Sequence, residues 1–287
     1  MTFGFLIHPL SARYMDRVTL LTKPLPSFLI NQLIKLKKPY EISRFKVNGL
    51  LGYFVGCPLT SEQMLKLNHS FVLKRIIQTC NVAKSLGVKI ISLGAFSAIA
   101  THQGKDLIGK IDINVTTGRA LTIGAVYEQV LRLKYDKVAI VGAEGAIGKG
   151  LCSLLKDVIK VGRKNFDDLY SADLIVSTTN TTKEIIDENK LKLGSVIIDV
   201  SKPSTIKRNI TREDVKVIDG GLVKLPHDVN LGVHFDCANN VVFACMAEPM
   251  VLALEGKYSN YSIGDDISVE KVKEILELSK KHGFKVI

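Results

Sequence analysis

No apolar run in this 287-residue chain is long enough to cross a bilayer, which takes roughly 18–20 residues in a helix. The longest, Val241 to Leu254, is interrupted by Glu248 and Pro249. The N-terminus has no basic segment ahead of its short apolar run, so no secretory leader and no stable membrane insertion are expected, and the expected location is cytoplasmic. Paired cysteines are also lacking. Cys57, Cys80, Cys152, Cys237 and Cys245 show neither CxxC nor metal-type spacing; the odd count fits reduced thiols rather than a disulfide framework, and no metal site is expected. There are no repeats or low-complexity segments. Acidic residues are scarce in one part only: residues 1–118 contain 15 Lys and Arg against 5 Asp and Glu, while the remainder is near neutral.

That imbalance fits either a negatively charged partner or a solvated lysine-rich surface. The basic residues lack aromatic interleaving and zinc-finger spacing, so nucleic acid is not expected. Hydrophobic content of 46% and charged content of 23% are those of an ordinary globular protein. The length predicts about two domains.

Residues 1–118 read as a small, basic α/β domain. "FGFLIHPL" is strand-like, and the stretch from Ser61 to Gly87 has helical periodicity throughout, with Ser61 as a plausible N-cap. "VKIISLGAFSAI" reads as a strand entering a loop, and "VTTGRALTIGAVYEQVLRLKY" as a helix capped by Thr116 or Thr117. Residues 119–232 contain successive short apolar strands with helical or loop connections, which predicts a doubly wound, Rossmann-type parallel sheet. Residues 233–287 read as a C-terminal helical segment.

The best-defined element is "DKVAIVGAEGAIGKGLCSLLKD". Gly142, Gly145 and Gly148 follow a strand and open a helix, with Ala146 and Ile147 between the last two. Such glycines let main-chain N–H groups approach a pyrophosphate above the positive helix end. A purely structural turn is the alternative. Arg163 and Lys164 end the next strand with no acid beside them, which favours the 2′-phosphate of NADPH over the free hydroxyl of NADH; they also suit a solvent-facing turn. Thr178, Thr179 and Asn180 close a later strand where ligands bind in such sheets, or are ordinary loop residues.

Cys245 lies in "NNVVFACMAEPM", four residues before Pro249. It is either a small apolar core residue or a nucleophile. Proline cannot donate to the carbonyl four residues earlier, so a helix must begin near Cys245 or kink there. A helix start would favour the thiolate, whereas the apolar neighbours would oppose it.

The chain resembles the cyanobacterial long-chain acyl–acyl-carrier-protein reductases, which form fatty aldehydes. The likeness runs through "FGFLIHPLS", "SLGAFSAI", "TTGRALT", "VGAEGAIG", "FACMAE" and the closing "LEGKYSNYSIGDDISVEKVKEILELSKKHGF". It implies NADPH-dependent reduction of a fatty acyl thioester, with Cys245 carrying the acyl group and acyl carrier protein or acyl-CoA as substrate carrier. It also implies a role for the loop with Ser92, Gly94, Phe96 and Ser97 on the substrate side, and makes His8 a candidate proton donor, although a lone histidine after a strand is also a common structural residue. An aldehyde-consuming enzyme is a further partner that the resemblance allows. The segments after "VGRKN" and between Gly221 and Cys245 are shorter than in the family, and Pro249 replaces an alanine. Two other functions remain open on the residues alone: an NADP-dependent dehydrogenase of small carbonyls, like the shikimate-type enzymes, and a non-catalytic module binding NADP(H) and an acyl carrier.

Overall fold

A computed structural model describes residues 2–12, 25–179, 181, 183–202, 204–207, 209–235 and 237–287. The fold is mixed α/β with parallel sheets, and the chain divides into two compact units. The first comprises residues 1–118, 225–240 and 245–264; the second comprises residues 119–224, 241–244 and 265–287. The C-terminal residues from 233 onward thus divide between both units, and they include strands as well as helices.

The first unit is built on strands β1 (Thr2–Ile7), β2 (Tyr40–Val47), β3 (Leu50–Gly56), β4 (Ile90–Leu93) and β5 (Asn114–Thr116), ordered β2-β3-β1-β4-β5. All neighbours are parallel except β2 and β3. That pair is a hairpin turned at Asn48 and Gly49, both with positive φ, the dipeptide that such a turn favours. Its helices are α1 (Ser27–Leu36), α2 (Ser61–Lys66), α3 (His69–Ser85), α4 (Ala95–Ile99) and most of α7 (Ala244–Leu254). The core brings Leu6, Val55, Ile76, Ile91, Leu93 and Phe96 together.

Two local expectations need correction. The periodic stretch from Ser61 is two helices, because Leu67 is extended and Asn68 starts α3 anew, its side chain accepting from Ser70 N. Thr60, not Ser61, caps α2, with Gln63 completing a reciprocal capping box. Apolar periodicity alone does not register such a break, since the same face stays buried on both sides of it. The second correction is the segment after β4, expected as a loop: it is the short helix α4, started by Gly94.

The second unit holds β6 (Val138–Val141), β7 (Val158–Val161), β8 (Leu174–Ser177), β9 (Val196–Asp199) and β10 (Lys216–Asp219), all parallel in the order β10-β9-β8-β6-β7. The order reverses at β6, which lies between β7 and β8, and that reversal is where Rossmann-type sheets bind ligands. Helices α5 (Arg119–Leu131), α6 (Ala146–Leu154) and α8 (Val269–Lys281) belong to this unit. So does a small antiparallel sheet of β11 (Leu222–Lys224), β12 (Val241–Phe243) and β13 (Lys285–Val286).

Candidate active site

Two constellations stand out, one in each unit. In the second, β6 ends at Val141 and the chain turns at Gly142 with φ +83°. Gly142 N donates to Val161 O at 3.0 Å, tying the loop to the end of β7. A side chain at Gly148 would overlap the carbonyl of Gly142, so only glycine lets α6 lie this close to the loop. Gly145 precedes α6, and Ala146 and Ile147 form its first turn. The loop therefore has the shape of a phosphate cradle, a helix N-terminus reached by a backbone that no Cβ obstructs. Arg163 and Lys164 are exposed just past β7, in a turn where Asn165 accepts from Gly162 N and donates to Lys160 O. Thr178 follows β8, and its hydroxyl donates back to Val141 O at 2.9 Å. Thr179 sits beside it, its main-chain N facing Gly142. Asn180 lies outside the described residues.

In the first unit, Cys245 occupies the first turn of α7. Pro249 is inside that helix, so the Cys245 carbonyl has no partner four residues on. Ser92, fully buried at β4, supplies the replacement, its hydroxyl donating to Cys245 O at 2.9 Å. Gly118, at φ +72°, lies flat against the same residue; any side chain there would overlap the Cys245 backbone. One helical turn beyond Cys245, the fully buried Glu248 accepts a hydrogen bond from the Thr116 hydroxyl. Thr117 donates to Ser262 O at 2.5 Å. The "TTG" of residues 116–118 thus fixes both Cys245 and the carboxylate next to it.

The electrostatics of this thiol oppose its ionisation. Burial pushes Cys245 up to about 12, and the negative charge of Glu248 adds to the shift. The N–H groups of Cys245 and Met246, at the helix start, act in the opposite direction but do not prevail. Cys57 and Cys80 are likewise pushed to about 12, chiefly by burial. Cys245 differs from them in retaining some exposure and in having a helix start and a carboxylate beside it.

The other expected residues of this unit gather around the loop after β4. His8 is buried, its Nδ1 3.3 Å from Pro9 O and its ring 6.1 Å from that of Phe96. Burial lowers it to about 4, against opposing contacts with the main chain of Pro9 and Gly94, so the ring is neutral near pH 7. Ser97 donates to Gly94 O at 2.7 Å, and Phe96 is part of the core. A side chain at Gly94 would crowd Leu6 O and the Phe5 ring. The hydroxyls of Ser92 and Ser97 are both committed to main-chain carbonyls.

Sequence reasoning did not single out Thr116 and Gly118 as site residues, although the "TTG" triplet was a visible signal. It also passed over Asp199. This carboxylate, 2% exposed at the end of β9, accepts from Ser201 N, Thr205 N and the Ser204 hydroxyl. Nothing in the pattern "IIDVSKPS" distinguishes it from a surface aspartate.

No protein-family model matches the chain. Curated proteins similar to it include the following two. One is the long-chain acyl-[acyl-carrier-protein] reductase of Synechococcus elongatus, 25% identical over 279 residues, covering 81% of this chain and 82% of that protein. The other is the aminotransferase PigE of a Serratia strain, 29% identical over an alignment that takes in all of this chain but only 40% of PigE. The chain thus spans less than half of PigE's length. Among the described residues, no helix is long and apolar enough to cross a membrane.

Proposed function

We propose that the chain reduces fatty acyl thioesters to aldehydes with NADPH, through a covalent thioester on Cys245. The observation that carries this reading is the built environment of the sulfur. A glycine and a serine from two other segments fix its backbone, two helix-start N–H groups reach it, and a buried carboxylate lies one turn away. A core-filling cysteine such as Cys80 has no comparable surroundings. The similarity to the Synechococcus reductase, spread over most of both chains, supports the same chemistry.

A thiol held near 12 does not attack unaided at neutral pH, so the proton must have an acceptor as the C–S bond forms. In our reading that acceptor is Glu248. It takes the Cys245 proton as the sulfur adds to the thioester carbonyl, then returns it to the departing carrier thiol. The helix-start N–H groups stabilise the sulfur while it carries charge. Bound NADPH would supply the hydride that converts the enzyme thioester to a hemithioacetal. Its oxyanion then collapses, breaking the C–S bond to release aldehyde and the Cys245 thiolate, which takes up a proton from solvent to restore the resting thiol. Thr116 orients Glu248 throughout. His8, neutral and buried, suits a role as a fixed strut of the Gly94 loop or as a donor from the neutral ring.

Gly142, Gly145, Ala146, Ile147 and Gly148 would hold the pyrophosphate. Arg163 and Lys164 would take the 2′-phosphate, and Thr178 and Thr179 would border the ring side. The basic excess of residues 1–118 favours a phosphorylated or acidic carrier, either coenzyme A or acyl carrier protein.

The test is incubation with NADPH and a panel of acyl-CoA and acyl-carrier-protein thioesters, with aldehyde detection and intact-protein mass spectrometry. We expect an acyl adduct on Cys245 when NADPH is withheld, and loss of aldehyde by at least about a thousandfold in Cys245→Ala. Normal aldehyde formation by Cys245→Ala would remove the covalent reading. Turnover of free ketones, indifferent to this substitution, would favour a direct dehydrogenase.

A further inference from the structure

Away from Cys245, the first unit carries a cluster that the proposed chemistry leaves unused. His69 is the first residue of α3, His102 lies in the turn after α4, and Asp106 lies in the short 3-10 helix, Lys105–Leu107, that follows this turn. His102 Nδ1 is 2.7 Å and His69 Nε2 is 3.0 Å from the same oxygen, Asp106 Oδ2. The two rings are 5.2 Å apart, and the three donor atoms lie within 4.8 Å of one another. The side chains are 50%, 70% and 22% exposed for His69, His102 and Asp106, so an ion from solvent can reach them.

The backbone gives a second, independent observation. His102 and Gln103 have φ of +45° and +60°, ahead of Gly104 at +83°. Two successive non-glycine residues in the left-handed region are costly, and such strain persists only where surrounding contacts over-determine it. Here Gln103 N donates to Ala98 O at 2.7 Å, Gly104 N to the Thr101 hydroxyl at 3.2 Å and Asp106 N to Thr101 O at 3.2 Å. The Thr101 hydroxyl in turn donates to Ser97 O at 2.8 Å. The strained turn is what brings the His102 ring onto Asp106.

We propose that His69, His102 and Asp106 bind a divalent cation of the zinc class. Two imidazole nitrogens and one carboxylate oxygen are a borderline-soft donor set that suits zinc and its first-row neighbours, with a further position left for water. Magnesium and calcium require oxygen ligands and are excluded by the same set. Binding needs His69 Nε2 and His102 Nδ1 unprotonated, so each ring carries its proton on the other nitrogen, and the ion replaces the two contacts to Asp106 Oδ2. The bound ion would pin the start of α3 to the turn that follows α4. This inference does not depend on the reductase reading.

The experiment is calorimetric titration of the tag-free, chelator-stripped full chain with Zn²⁺, checked by competition with a chromophoric chelator. We expect one saturable site. His102→Gly is the decisive variant, because it removes a ligand while placing at a left-handed position the residue that prefers it; it should fold at least as well as the parent and bind zinc at least about tenfold more weakly. Asp106→Asn should lose a similar factor. Cys152→Ser with Cys237→Ser should retain the site, which assigns it to the imidazoles rather than to those two partly exposed thiols. No saturable binding at micromolar zinc, parental affinity in His102→Gly, or loss of the site in the cysteine variant would each overturn the proposal and leave only a hydrogen-bonded His–Asp–His cluster.

Discussion

Pro249 deprives α7 of one N–H, and the carbonyl left behind at Cys245 is taken up by the Ser92 hydroxyl. This pairing makes a sharp prediction at the residue scale. Ser92→Ala leaves a carbonyl without its donor and should cost about 1–3 kcal/mol. In a Pro249→Ala background the helix supplies its own N–H, and the same serine change should cost under about 1 kcal/mol. A double-mutant cycle in urea measures the difference; equal costs in both backgrounds would dissolve the link. The proline was readable in the sequence as an interruption of helical bonding near Cys245. Its partner was not, because Ser92 is 153 positions away and serine is a common residue in any strand-to-loop passage.

Helix starts and glycine turns decide the elements. Gly118 and Gly49 have similar φ, +72° and +81°, but differ in their surroundings: a side chain would overlap the Cys245 backbone at the first and meet nothing within 4 Å at the second. Gly49→Ala should therefore show only the left-handed penalty, about 1–2 kcal/mol. Gly118→Ala should cost about 3 kcal/mol or more and displace α7 from its seat. Thermal denaturation of the two variants side by side checks this, and equal losses would mean that the close approach carries no weight. At this scale the sequence was informative about existence and kind. The strand–glycine–helix unit of residues 138–154 is where its pattern placed it, since the glycines and the apolar strand are local signals. The break between α2 and α3 was missed because an N-cap such as Asn68 is an ordinary polar residue until its side chain turns back on its own helix.

For the whole molecule, His8 couples folding to pH. Its folded value is about 4 against an ordinary 6.5, so between those values the unfolded chain binds a proton that the folded chain refuses. Stability is then unaffected by His8 above pH 6.5, falls as pH drops through the interval, and is lower by about 3 kcal/mol once pH is below 4. His8→Gln should flatten that part of the profile, read as urea midpoints at pH 7 and 4.5. A slope unchanged by the substitution would show that other groups are responsible. Net charge of +11 also grows on acidification and adds a general repulsion, which is why the comparison is made within one pair of proteins.

The sequence by itself determined the fold class, the parallel sheet with its glycine loop, the basic bias of residues 1–118 and the choice of Cys245 as the thiol to question. Each of these is encoded by local periodicity, by the special geometry of glycine and proline, or by simple counting. Tertiary structure alone decided what surrounds that thiol: Ser92, Thr116 and Gly118 converge on α7 from distant segments, burial outweighs the helix start in setting its acidity, and His69 meets His102 and Asp106 across a strained turn. Such facts depend on which segments pack together and how completely water is excluded, and no local pattern of residues carries that information.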